Sequence, residues 1–253
     1  MKDRADKVLV FLGLARSRSH ARDLIKRQLV KFKDNLVTKT GQIVEEEGLE
    51  LLVEENVVGR GALKIQSFLD LENIEFKNKF VADIGASTGG FTQIALERGA
   101  QRVYAVDVGH NQLAEVLKND DRVVDMEGTN VKNEFHLPEL CHLMTVDLSF
   151  ISTASVLPNL VTKLAPEAQA LILFKPQFEV GVKNIGAKAL VTDQEVVLDK
   201  LNNFLITAAE NHLSFQSIHA CGLKGKKSGN QEFFVLFLKK DEKVSNPEIK
   251  ELP

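Results

Sequence analysis

VADIGASTGGFT, residues 81–92, decides how the chain is read. An apolar run ends in Asp83, Gly85, Gly89 and Gly90 follow, and a helix-compatible segment comes next. A strand, a glycine turn and a helix in that order read as a nucleotide site on an open parallel sheet or as a merely structural strand–helix turn. Glycine permits the close backbone approach and the left-handed dihedrals that such a turn needs. This turn is not a dinucleotide fingerprint, because Ser87 stands where the middle glycine of G-x-G-x-x-G would be. No Gly-Lys-Ser/Thr follows to make it a phosphate-binding loop, and the loop carries no basic residue. Asp107 ends the next apolar run, where a carboxylate can accept both hydroxyls of an adenosine ribose.

Outward from this turn, strand and helix patterns alternate. Strands are predicted at 79–85, 102–109, 122–128, 143–150, 169–176, 213–220 and 231–240. Helices are predicted at 61–70, 92–99, 111–119, 152–164 (with Pro158 inside it) and 193–212. Strands separated by helices imply an α/β fold with a doubly wound, mainly parallel sheet. The last two strands are joined by CGLKGKKSGN alone, too short for a helical crossover, so they are expected to be antiparallel neighbours. Residues 241–253 are polar and expected to fray.

The composition excludes several classes. No secretory signal is legible, and no apolar run approaches the roughly 20 residues that span a bilayer, so a cytoplasmic protein without a membrane role is expected. Cys141 and Cys221 give neither a disulfide framework nor a zinc spacing, and no metal is expected. The net charge of −3 conceals a strong asymmetry. Residues 1–40 carry eleven Lys/Arg against four Asp, a surplus of 11 − 4 = +7, and residues 41–56 carry six Glu and no Lys/Arg.

The basic segment reads as two short helices, over 6–15 and 17–29, and a strand from Val30 with Asp34-Asn35 as its turn. Ser17 or Ser19 can cap the second helix, which would turn Ala21, Leu24, Ile25 and Leu29 inward. LxxLGLARSRSxARDLIKRxxVKF resembles the small RNA-binding domain named after ribosomal small-subunit protein S-four. Two positions depart from that family: Gln28-Leu29 stands where it has glycine, and Asp34-Asn35 where it has Asn-Gly. The resemblance implies RNA phosphate contacts by Arg16, Arg18, Arg22 and Lys26, with Arg4 and Arg60 beside them. Residues 56–62 read as an interdomain linker and possible hinge.

Four charged residues are out of place in the larger region. Asp147 and Lys175 end apolar strands, Glu232 opens one, and Lys64 lies early in the helix before the first strand. Each alone could be an ordinary exposed charge. GRGALK, ADIGASTGGFT, DVGHNQLA, TNVK, VDLSFIS, FKPQFEVG and SGNQEFF follow one another in order. Together they resemble the TlyA family, known as haemolysins and built from an S-four-like RNA-binding domain and an FtsJ-like methyltransferase domain. The resemblance implies a Rossmann-like class I methyltransferase sheet, mainly parallel with an antiparallel last strand, behind a small N-terminal α+β domain. The expected domains are 1–55 for RNA binding, 56–62 for the linker, 63–240 for methyl transfer and 241–253 for a polar tail.

What the family does becomes the expectation: 2′-O-methylation of ribose, at cytidine, in ribosomal RNA of the subunits, with S-adenosylmethionine as cosubstrate. The family's catalytic tetrad falls on Lys64, Asp147, Lys175 and Glu232. Its cosubstrate positions fall on Asp83, Gly85, Gly89 and Asp107, with Ala86, Ser87, Thr88, Gly90, Asn130 and Asp147 around them. A ribose hydroxyl must lose its proton as it attacks, and a lysine takes that proton only if its pKa, normally about 10.4, comes down. Lys175 is expected to be base or hydroxyl-orienter, with Asp147 positioning it and Lys64 and Glu232 fixing the ribose. Base methylation is disfavoured, since Asp147 is followed by Leu-Ser-Phe and not by Pro-Pro-aromatic. The alternatives are a non-catalytic RNA-binding or ribosome-assembly factor, and, further off, a haemolysin. Segment 181–193 reads as a lid or a passive loop, and the oligomeric state is open.

Overall fold

The computed structural model describes residues 1–15, 17–52, 58–181, 185–186, 189–223 and 229–253, with residues 23, 27 and 60 described by backbone alone. The chain divides into two compact units, Met1–Leu63 and Lys64–Pro253.

The first unit holds β1 (Lys2–Arg4), α1 (Ala5–Phe11), α2 (Arg18–Arg27), β2 (Val30–Phe32), β3 (Asn35–Leu36), β4 (Ile43–Glu45) and β5 (Leu49–Leu51). β1 pairs antiparallel with β4, and β2 lies between β3 and β5. The three-residue strands β1, β4 and β5 carry too little alternation to be read from sequence. Ser17 caps α2 by accepting from His20 N at 3.1 Å, and Ala21, Leu24, Ile25 and Leu29 are buried as the pattern required. The turn between β2 and β3 is Lys33-Asp34, with Lys33 at φ 55 and Asn35 already paired to Phe32. The tolerant Asn expected in the turn is therefore in the strand.

α2 ends on Gln28 at φ 64, in the left-handed region that favours glycine. Gln28 N donates to Ile25 O at 3.0 Å and Leu29 N to Leu24 O at 3.0 Å, a Schellman closure that requires the left-handed conformation. Gln28→Gly should relieve that backbone cost and raise unfolding free energy by about 0.5–1 kcal/mol, read from urea denaturation midpoints.

α3 (Arg60–Leu69) begins within the stretch read as linker; residues 56 and 57 of that stretch lie outside the described residues. The second unit follows with β6 (Phe80–Ile84), α4 (Gly90–Glu97), β7 (Arg102–Asp107), α5 (Glu115–Lys118), β8 (Val123–Glu127) and β9 (Cys141–Val146). It continues with α6 (Leu157–Val161), β10 (Leu164–Phe174), α7 (Pro176–Glu179), α8 (Gln194–Glu210), β11 (Leu213–Ala220) and β12 (Phe233–Lys239). The seven strands are ordered β11-β12-β10-β9-β6-β7-β8. β8, β7, β6, β9 and β10 are parallel, while β12 runs antiparallel between β10 and β11. The expected antiparallel final pair is present. Strand order reverses between β6 and β9, which puts the ligand crevice beyond their carboxyl ends.

Three local differences have physical causes. Residues 111–114 are not helical, because Glu127 draws the N–H groups of Asn111, Gln112 and Leu113 to its carboxylate. Pro158 does not break a long helix; it sits in the first turn of α6, where a missing N–H costs nothing. The tail is not frayed. Asn246 Nδ2 donates to Leu205 O and Leu213 O and its Oδ1 accepts from Phe215 N, while Asn202 and Ile249 exchange two hydrogen bonds. Ile249 and Leu252 pack on the core, so side-chain amides dock what composition marked as loose.

Candidate functional site

Three of the four misplaced charges sit one residue outside a strand on the same rim. Asp147 follows β9, Lys175 follows β10, and Glu232 precedes the antiparallel β12. Antiparallel insertion is what brings the start of β12 to the carboxyl ends of its neighbours. Lys64 reaches the rim from α3.

The four make a row of alternating sign. Lys64 Nζ lies 2.8 Å from Glu232 Oε2 and 3.6 Å from Asp147 Oδ2, and Lys175 Nζ is paired to Asp147 Oδ1. Lys175 Nζ also donates to Ser149 Oγ at 3.0 Å, and Gln177 Nε2 donates to Glu232 Oε1 at 3.2 Å. Lys64 thus stands between two carboxylates, whereas Lys175 has one carboxylate and a hydroxyl. Burial pulls the Lys64 ammonium down, but Asp147 and Glu232 outweigh it and its pKa is raised. Burial likewise pushes Asp147 up, and the two lysines overcome this and hold it below its ordinary value. Lys64 therefore stays a cation and Asp147 an anion.

All four line one cavity of about 760 Å³. Gly85, Ser87, Asp107, Gln112 and Asn130 line it as well. Gly85 has φ +85, and a Cβ there would lie 2.6 Å from Asp147 O, so the turn and the end of β9 touch backbone to backbone. Asp107 accepts from Ser87 N at 2.8 Å and Gly109 N at 2.7 Å, one bond on each oxygen, which fixes the carboxylate and leaves lone pairs for a vicinal diol. Gln112 Oε1 accepts from Ser87 Oγ at 3.1 Å. Gln112 and Ser149 were not singled out in the sequence, although Ser149 lies two residues beyond Asp147 and Gln112 lies within DVGHNQLA.

Other candidates lie elsewhere. Asp83 is 1% exposed and does not line the cavity. Its Oδ2 accepts from Thr92 N at 2.9 Å and Thr92 Oγ1 at 2.7 Å, and its Oδ1 from Thr145 Oγ1 at 3.0 Å. It pins the first turn of α4 to β6 and β9, and so holds the glycine loop in place. Ala86, Thr88, Gly89 and Gly90 are also absent from the lining; Gly89, at φ +92, packs against Leu113 and Leu117. Arg4, Arg18, Arg22 and Lys26 belong to the first unit. Arg16 lies outside the described residues, as do residues 182–184 and 187–188 of the suspected lid, and the side chain of Arg60 is not described. Beyond them, Asn230 holds residues 189–191 through Val191 N and Ala189 O. Both thiols are buried, and burial pushes Cys141 up to about 12.

Burial raises Asp83 to about 6, against the pull of its threonine hydrogen bonds. The folded form therefore holds this proton more tightly than the unfolded chain, whose value is about 3.9. That contribution is complete below about pH 4 and is lost as pH rises through about 6, a span worth about 3 kcal/mol. Asp147, whose pKa is lowered, contributes with the opposite sign, mainly below that window. Unfolding free energy should fall between about pH 4 and 6.5, and Asp83→Asn should flatten that part of the profile. An unchanged slope in the variant would exclude Asp83 as its source.

Comparison with known proteins is consistent with this geometry. The FtsJ-like methyltransferase model matches residues 57–239 and the S4 domain model residues 3–50. A Bacillus subtilis protein, YqxC, provisionally named an rRNA methyltransferase, is 41% identical over 92% of this chain and 85% of its own. The 16S/23S rRNA (cytidine-2′-O)-methyltransferase TlyA of Mycobacterium tuberculosis is 37% identical over 92% of this chain and 88% of its own. A solved structure from Streptococcus thermophilus, provisionally classed as a hemolysin, superposes with a TM-score of 0.75 at 33% identity, covering 98% of this chain and 91% of that one. Among the described residues no helix is long and apolar enough to cross a membrane.

Proposed function

Because this chain belongs to the TlyA family of FtsJ-like methyltransferases with an S4 domain, we propose that it 2′-O-methylates a cytidine ribose in ribosomal RNA, in the cytoplasm, with S-adenosylmethionine as cosubstrate. The observation that carries the reading is the alternating row Glu232–Lys64–Asp147–Lys175 in the same cavity as Gly85 and Asp107. In this reading residues 1–55 hold RNA, residues 63–240 perform the transfer, and residues 56–62 join the two.

The cavity suits such a cosubstrate at both ends. The Gly85 turn and the Asp107 carboxylate offer a neutral backbone and a diol acceptor, which fit a nucleoside without phosphates. The Asp147 carboxylate fits a neighbouring positive charge. S-adenosylmethionine supplies, when bound, a methyl group on a sulfonium, electrophilic enough for an alcohol oxygen to attack. Lys64, held cationic between two carboxylates, hydrogen-bonds the ribose and is no base. Lys175 orients the 2′-hydroxyl and, once it has given up its own proton to become a neutral amine, receives the hydroxyl proton as the oxygen attacks. Asp147 and Ser149 fix the Lys175 amine, and Glu232 fixes Lys64.

Incubating the purified chain with tritiated S-adenosylmethionine and ribosomal subunits, then mapping 2′-O-methylation, tests the reading. Label on cytidine ribose is expected. Cosubstrate binding with no transfer to either subunit or to free rRNA would leave the non-catalytic RNA-binding alternative standing in its place.

A further inference from the structure

Asp6, in the first turn of α1, is 0% exposed, which is unusual for a carboxylate in so small a unit. Three arginines from two elements converge on it. Arg4, at the end of β1, forks onto it, Nε 3.0 Å from Oδ1 and Nη2 3.2 Å from Oδ2. Arg18 Nη2 lies 2.9 Å from Oδ2 and Arg22 Nε 3.4 Å from Oδ2, both from α2. The arginine side chains are themselves 40%, 48% and 54% exposed. A buried anion thus stands behind three cations that face water, and 3 − 1 leaves a surplus of +2.

One arginine would neutralise Asp6; three are more than stability needs. Arg18 and Arg22 are spaced i, i+4 on α2, where like charges repel. The shared carboxylate offsets that repulsion and fixes the planes of the guanidiniums. Each fork spends only part of its N–H donors on Asp6. Planar guanidiniums take phosphate through paired N–H groups, and the main cost of such a contact is freezing a long side chain, about 2 kcal/mol of rotamer entropy. Here that ordering has already occurred in the free protein. The Arg4 fork holds the carboxyl well below the usual range, so Asp6 is an anion at any pH at which RNA would be bound.

We propose that Asp6 is a positioning residue that holds Arg4, Arg18 and Arg22 as a preformed clamp for an RNA phosphodiester. The proposal rests on the ribosomal-RNA reading above and adds to it the group that orders the contact.

Asp6→Asn tests it through the sign of the effect. The substitution adds a unit of positive charge, so charge alone would tighten RNA binding and steepen its salt dependence. The clamp requires the reverse. Filter binding of the full chain to 16S and 23S rRNA, from about 50 to 300 mM KCl, should show affinity about tenfold weaker and a salt slope shallower by about one. Arg18→Lys keeps the charge and loses the fork; it should weaken binding about three- to fivefold, and it decides the matter if Asp6→Asn does not fold. Melting curves set a temperature at which every variant compared is folded. Asp6→Asn binding as tightly as wild type or tighter, or Arg18→Lys binding like wild type, overturns the clamp. If the wild-type chain binds neither RNA, the RNA reading falls with it; if the wild type binds and Asp6→Asn matches it, the clamp alone falls.

Discussion

Lys175→Ala should abolish methyl transfer, with the single-turnover rate falling at least about a thousandfold, while S-adenosylmethionine affinity should stay within about twofold. Lys175 is the lysine with a single carboxylate partner, and its Nζ is held by Asp147 and Ser149 at the end of β10. The groups proposed to grip the adenosyl ribose, Asp107 and the Gly85 turn, belong to other strands and keep their own hydrogen bonds. Removing the amine leaves Asp147 with Lys64 at 3.6 Å. Lys175→Met, which keeps most of the volume, therefore serves as the packing control, and both variants should be equally inactive. Tritium transfer and equilibrium cosubstrate binding separate the two effects. A Lys175→Ala enzyme within tenfold of wild type would remove this residue from the chemistry.

Gly85→Ala should be strongly damaging for a change of a single methyl group. The residue is at φ +85, where an L side chain is strained, and the added Cβ meets Asp147 O at 2.6 Å and Asp147 C at 3.0 Å. Both atoms are backbone, so the clash cannot be relieved by rotating a side chain. Strain and overpacking together should cost about 3 kcal/mol and lower the melting midpoint by about 6–12 °C. The displaced end of β9 carries Asp147, so cosubstrate affinity should fall by at least about a hundredfold even in the protein that remains folded. A variant with wild-type melting and affinity would show that this contact has room to spare.

Much of this was legible because polarity and position conflict at the right places. Asp147, Lys175 and Glu232 interrupt apolar runs, and a charge that ends a buried strand has only the sheet rim to occupy. The antiparallel final strand was legible from connection length alone. Asp83 was not. A strand-end carboxylate beside a glycine turn can serve a ligand or the helix that follows, and its partners Thr92 and Thr145 meet it only when α4 and β9 are in place. The left-handed residues Gln28 and Lys33 were equally hidden, since neither side-chain type announces a positive φ. The tail looked loose because composition counts asparagine as polar, not as a group that can satisfy three main-chain partners at once, as Asn246 does.

The position of β12 between β10 and β11 also sets when the proposed row of charges can be complete. Glu232 and Lys64 are 168 residues apart in sequence and 2.8 Å apart in space. The pairings described in the first unit are local by comparison, reaching from Met1 to Glu46. During synthesis, at about 5–20 residues per second from the N-terminus, the basic module can fold roughly ten seconds or more before β12 emerges. A growing chain therefore acquires its proposed grip on RNA well before it has a complete set of reacting groups. In the proposed reading, the reacting groups come together only after β12 has been made and has paired with β10.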